Sequence, residues 1–126
     1  MEHVVAKSIL NETSFQSCPE VVRVEFEPDS LLVSVAGPDI EHFIIVYFED
    51  LEGFRVLDER DMLEFWPVCS STNGWLYEIE SGGWLSQEVN RPGCLLGEFG
   101  SSIHEYLVIG VNACVSVLTH SKPIIQ

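Results

Sequence analysis

A chain of 126 residues with 20 Asp and Glu against 6 Lys and Arg has a formal net charge of −14. That balance argues against nucleic acid as a partner, because such binding relies on neutralising phosphates with Lys and Arg. The 46% hydrophobic content is ample for one domain spanning 1–126, and the longest wholly apolar run, Phe43 to Phe48, is far short of the ~20 residues a membrane helix needs.

Residues 1–20 read as an N-terminal arm packed through Val4, Val5, Ile9 and Leu10. Its start, MEHVVAKSIL, has no basic head before an apolar run, so no signal peptide is expected. Cys18, Cys69, Cys94 and Cys114 are widely spaced without a C-x-x-C pair. They read as free, buried or partly buried thiols in a reducing, cytoplasmic protein rather than as a zinc site.

From Val21 to Glu27, Val22, Val24 and Phe26 alternate with Arg23, Glu25 and Glu27, the pattern of a strand with one wet face. Pro28, Asp29 and Ser30 turn the chain, and Leu31 to Ala36 completes a hairpin. In His42 to Glu49 both faces are apolar, which predicts a central strand covered on both sides.

The stretch GFRVLDERDMLEFW, 53–66, reads as a strand over Phe54 to Leu57 followed by a short acidic helix that stops at Pro67. Asp58 is the expected N-cap, accepting the backbone N–H of Asp61, while Met62, Phe65 and Trp66 face a sheet. Glu59, Arg60 and Glu64 then face water. The negative charge is densest here, with 8 acidic and 2 basic residues in 41–64. A field of that sign steers basic proteins or cations, and it equally serves solubility alone.

Trp75 to Val89 reads as a hairpin about Ser81-Gly82-Gly83. A three-residue loop segregates Trp75, Tyr77, Ile79, Leu85 and Val89 from Glu78, Glu80, Ser86 and Glu88 better than a two-residue loop does. It places Trp84 on the polar face beside Leu76, Glu78 and Glu80. A tryptophan ringed by carboxylates suits a partner-binding anchor, whereas a Trp84 covered by another segment belongs to the core. Glu105 to Val111 and Ala113 to Thr119 form a last strand pair about Asn112, and 121–126 is a short tail.

His3, His42, His104 and His120 lack close pairing, and His104-Glu105 alone is short of a ligand set, so no metal is expected. No lysine-bearing glycine loop, dinucleotide fingerprint or G-x-S-x-G elbow is present, so no cofactor is expected either. A Cys–His nucleophile assembled only in space stays open. Asp58, Glu59, Asp61 and Glu64 were the one set suited to paired-carboxylate catalysis, but capping and solvation account for them better.

The segments GFRVLDERDMLEFW, GWLYEIESGGWL and EYLVIGVNACVSVLT resemble small, acidic, uncharacterised bacterial proteins and, more loosely, immunity proteins of bacterial toxin systems. The resemblance covers about 42–119 and implies a stoichiometric inhibitor that meets its toxin through an acidic surface. The expected fold is α+β, a mainly antiparallel, curved β-sheet with one or two short helices. The expected function is an acidic protein-binding module, immunity-like, with a basic protein partner. A pocket-containing enzyme using carboxylates and a subunit of a homo-oligomer are the alternatives. Candidate partner-binding residues are Trp84, Glu78, Glu80 and Glu88 in one patch, and Asp58, Glu59, Asp61 and Glu64 in a second.

Overall fold

A computed structural model describes residues 3–9, 19–37, 43–69, 74–93 and 102–126. Cys18, His42, Cys94, the polar loop at 70–73, the glycine-containing loop at 94–101 and the side chain of Glu59 lie outside the described residues. The strands are β1 (Val5–Ser8), β2 (Glu20–Glu27), β3 (Ser30–Ala36), β4 (Ile44–Phe48), β5 (Leu51–Leu57), β6 (Leu76–Ser81), β7 (His104–Ile109), β8 (Cys114–Thr119) and β9 (Ile124–Ile125). Two 3-10 turns, Glu59–Asp61 and Leu63–Phe65, and one short helix, α1 (Trp84–Glu88), complete the described elements.

Every pairing is antiparallel, as expected, but the strands divide between two sheets. One is five-stranded, ordered β1-β6-β7-β8-β5, and the other four-stranded, ordered β2-β3-β4-β9. Leu31, Val33, Val35, Val46 and Phe48 of the smaller sheet pack against Leu76, Tyr106, Val108, Val115 and Val117 of the larger one. Each such side chain contributes roughly 1.5–3 kcal/mol when fully buried, so this layer is the main source of stability. Helix is scarce and the sheets do not close on each other.

The hairpins β2–β3 and β7–β8 form where period-two alternation predicts them. The two ends of the chain differ from expectation. The N-terminal arm contributes edge strand β1 against β6, and the tail contributes β9 against β4. Both ends are held because a strand edge offers unpaired N–H and C=O groups to any extended segment that reaches it.

The strand covered on both faces is also not β4. Phe43, just before it, is 62% exposed and Ile45 and Tyr47 are only half-buried. Instead β7 and β8 are buried on both faces, because the second face of the larger sheet carries Met62, Phe65 and Cys69 over Tyr77, Ile79, Leu107 and Ile109. Met62 and Phe65 are completely buried there, as the apolar spacing predicts.

A bulge between Val21 and Arg23 shifts the register of β2, so the inward residue at its start is Val21, 8% exposed, and not Val22, 43% exposed. The cause is the β7–β8 turn. Asn112 accepts the Val21 N–H at 3.0 Å and donates Nδ2–H to the Val21 carbonyl at 2.8 Å, imitating a neighbouring strand. The N–H of Val111 bonds the carbonyl of Pro19 at 2.8 Å. The turn of one sheet thereby fixes the entry of the other.

Val21→Ala should therefore cost about 2 kcal/mol, the lost methyl groups plus a cavity, while Val22→Ala should cost less than ~1 kcal/mol. Urea unfolding of the two variants measures this; equal losses would mean that β2 has no bulge.

Candidate functional site

The outer face of the larger sheet is apolar except for one stripe. Arg55 on β5 is opposite Ser116 on β8, and Ser116 is opposite Leu107, two residues along β7 from Glu105. Alternation along each strand points Arg55, Ser116 and Glu105 to this same outer face. Glu105 and Ser116 are each 1% exposed and Arg55 is half-buried.

The stripe is covered by α1, where the sequence predicted the second strand of a hairpin. Leu85, Gln87 and Val89 do alternate, but residues 84–88 coil because the chain behind them is anchored elsewhere. Gly82 takes φ +77°, a left-handed conformation that glycine adopts without strain. Gly83 packs so closely on Glu105 that a Cβ there would lie 2.8 Å from its carboxylate. That carboxylate accepts the N–H of Trp84 at 3.1 Å and of Leu85 at 2.8 Å, satisfying two donors that a helix start leaves free. Burial raises the Glu105 pKa above its ordinary value, and these two N–H groups, with Arg55, oppose the shift.

Trp84 is consequently not the projecting anchor of the first predicted patch. Its ring lies 5.0 Å from the Arg55 guanidinium carbon, in cation–π geometry, and its indole N–H bonds Glu88 at 3.1 Å. Glu88 also accepts from Arg91 Nε at 2.8 Å, and that bond is the main reason its pKa falls below the ordinary value. Glu78 and Glu80 are on the opposite face of β6 from Tyr77 and Ile79, away from α1. Glu78 instead meets Lys7 at 3.6 Å and His104 at 3.5 Å, so His104 and Glu105 face opposite ways and form no ligand pair. The predicted patch is thus divided by the sheet: Trp84 and Glu88 on one side, Glu78 and Glu80 on the other.

The second patch is on the 3-10 turns. Asp58, Asp61 and Glu64 are exposed. Asp58 Oδ1 accepts the N–H of Arg60 at 3.0 Å rather than that of Asp61, which bonds the Asp58 carbonyl at 3.0 Å. Met62 departs from helical geometry, with φ −120° and ψ 29°, so the expected single helix becomes two turns. Leu63, between Met62 and Glu64, is 70% exposed.

Arg55 connects the two patches. Glu64 from the 3-10 turns, Glu88 from α1 and Glu105 beneath it all stabilise its charge, while desolvation, the larger effect, lowers its pKa. None of them comes close enough for an ion pair among the described residues, and the buried Arg55 Nε and Ser116 Oγ have no hydrogen-bond partner. The sequence signals for these residues were a single Arg in LEGFRVL, a single Glu in HEYLVI and a single Ser in CVSVLT, each on a mostly apolar strand.

Of the cysteines, Cys69 and Cys114 are buried free thiols, and burial pushes Cys69 up to about 12, which disfavours the thiolate needed by a nucleophile. Among the described residues no group of His, Cys, Asp and Glu is placed to hold a metal ion, and no helix is long and apolar enough to cross a membrane. Comparisons of the chain with known protein families, with curated proteins and with solved structures found no match.

Glu105→Ala should lose about 2–4 kcal/mol, since two N–H groups are left buried without acceptors. The pH dependence has a definite sign. With its folded pKa above the ordinary 4.5, Glu105 binds its proton more tightly in the folded state, so wild type should gain stability relative to Glu105→Gln as pH falls through the folded value toward 4.5. Urea unfolding across that range measures the difference; a gap that closes in the opposite direction would show the carboxylate is held ionised.

Proposed function

We propose that this protein is an acidic protein-binding module, immunity-like in manner, that meets a basic partner across the outer face of the larger sheet. The observation that carries the reading is that Glu64 of the 3-10 turns and Glu88 of α1 both lie within electrostatic reach of Arg55, while Leu63, Asp58 and Asp61 of the same turn segment are exposed. Carboxylates on two separate elements form one negative field, and Leu63 supplies apolar area within it. In this mechanism the net charge of −14 accelerates encounter with a cationic surface, and a few desolvated contacts at the centre supply affinity.

The reading revises the contact residues. Glu78 and Glu80, on the other side of β6, are outside the proposed surface. Trp84 lies against Arg55 and holds Glu88 through its indole N–H, so the direct contacts are Leu63, Glu64, Asp58, Asp61 and the free side of Glu88. Glu59 belongs to the same 3-10 turn.

Self-association is a second reading, favoured by one observation. Phe26 is 60% exposed and packs against Phe54 with ring centroids 5.4 Å apart and planes tilted by 38°, an aromatic pair on β2 and β5, which are edge strands among the described residues. A charge of −14 on each copy opposes such pairing. Sedimentation equilibrium distinguishes the readings: a monomer at low and high salt excludes the edge as a self-interface, and a dimer abolished by Phe26→Ser establishes it.

The test of the binding reading is capture of a partner from the native host at low salt, followed by titration calorimetry with the purified partner. Glu64→Lys combined with Glu88→Lys should weaken binding by roughly a hundredfold, and Glu78→Lys with Glu80→Lys by less than about threefold. Affinity should also fall as salt rises. An affinity indifferent to salt and to the first pair, or lost with the second, overturns the assignment.

A further inference from the structure

A second site opens where the two sheets part on the other side of the sandwich. The smaller sheet ends there in β9, only two residues long, which is too short to cover the inner face of β1 and β6. The result is a cleft of about 320 Å³, at the lower end of the range of small-molecule sites. Its apolar walls come from both layers: Ile9 and the ring of Tyr106 from the larger sheet, Pro123 and Ile125 from the C-terminal segment. Tyr106 is 2% exposed and belongs to the inter-sheet core, so the cleft is a continuation of that core to the surface.

The charged groups at the cleft are Lys7, Lys122 and Glu78. Two of the chain's six Lys and Arg residues therefore converge on one opening of a molecule with net charge −14. Glu78 is already engaged, by Lys7 at 3.6 Å and His104 Nδ1 at 3.5 Å. Lys122 has no ion pair among the described residues. Two ammoniums against one carboxylate leave a local excess of positive charge over an apolar floor.

The geometry points to a binding site for a small carboxylate with an apolar tail, its tail completing the inter-sheet core between Ile9, Tyr106 and Ile125 and its head held by Lys122 and Lys7. A cationic ligand would meet both ammoniums, and a neutral apolar one would leave Lys122 without a counter-charge. The carboxylate satisfies both demands. This site is independent of the carboxylate surface on the far side of the larger sheet.

Octanoate and octanol are matched probes, to be titrated into the full chain and followed by amide NMR. Octanoate should give saturable shifts at Lys7, Ile9, Lys122 and Ile125, with octanol at least tenfold weaker. Lys122→Gln, an exposed change that leaves the fold intact, should weaken octanoate roughly tenfold, the loss expected for one charge-assisted contact, and Lys7→Gln should act in the same direction. Overturning results would be no saturable shifts at these amides, equal binding of the alcohol, or octanoate affinity unchanged in both lysine variants. Shifts centred on Leu63 or Glu88 would also refute the site.

Discussion

The five-stranded sheet has two apolar faces, and the fold is the solution to covering both. One face is covered by another sheet, a layer able to exclude water by itself. The other is covered by two 3-10 turns and a five-residue helix, none long enough to be stable in isolation. Each short piece is held from below. Met62 and Phe65 fix the 3-10 turns by complete burial, and the Glu105 carboxylate fixes α1 by accepting two of its N–H groups. A buried carboxylate is costly unless its oxygens are satisfied, so position and burial of Glu105 are coupled to the presence of α1.

The same arrangement brings charges together. Once α1 is seated, Trp84 lies over Arg55, and its indole N–H orients Glu88 at the margin. The 3-10 turns bring Glu64 within electrostatic reach of the same Arg55. Surface charge that is scattered along the chain is thus gathered into one region, where Arg60 meets Asp58 at 3.6 Å, Arg91 meets Glu88 at 2.8 Å and Arg55 lies within electrostatic reach of Glu64, Glu88 and Glu105. Both Glu105 oxygens are occupied by N–H groups of α1, and burial holds the Cys69 thiol protonated. On the opposite side of the molecule the balance inverts, because Lys7 and Lys122 gather at a cleft where, among the described residues, the inter-sheet core reaches the surface.

Much of the fold was legible because β-structure writes a local pattern. The β2–β3 and β7–β8 hairpins, the strand entering the 53–66 stretch and the inward set Met62 and Phe65 were all readable from spacing. The failures have specific causes. Val22 alternated correctly with Val24 and Phe26, but Asn112, 91 residues away from Val21, imposes a bulge that local alternation cannot register. Leu85, Gln87 and Val89 satisfied a strand pattern, yet the donors of that segment are claimed by Glu105, 20 residues from Leu85. The site was partly legible in the same sense. The acidic turn residues are marked by charge density, whereas the sequence places Arg55 only on a strand and Glu105 only beside His104, because a single polar residue in a strand has no local signature of its role.

By itself the sequence determined the acidity, the β2–β3 and β7–β8 hairpins, the strand break at Ser81-Gly82-Gly83 and the apolar side of most elements, because these depend on neighbours within a few residues. Only the tertiary structure decided that the strands divide into two sheets, that β7 and β8 are the doubly covered strands, and that Glu78 and Glu88 face opposite ways. Alternation specifies which residues share a face and is silent about what packs on it. What covers each face is set by contacts between residues far apart in the chain, and those contacts placed Arg55 within reach of carboxylates from three elements and Lys122 beside the cleft between the sheets.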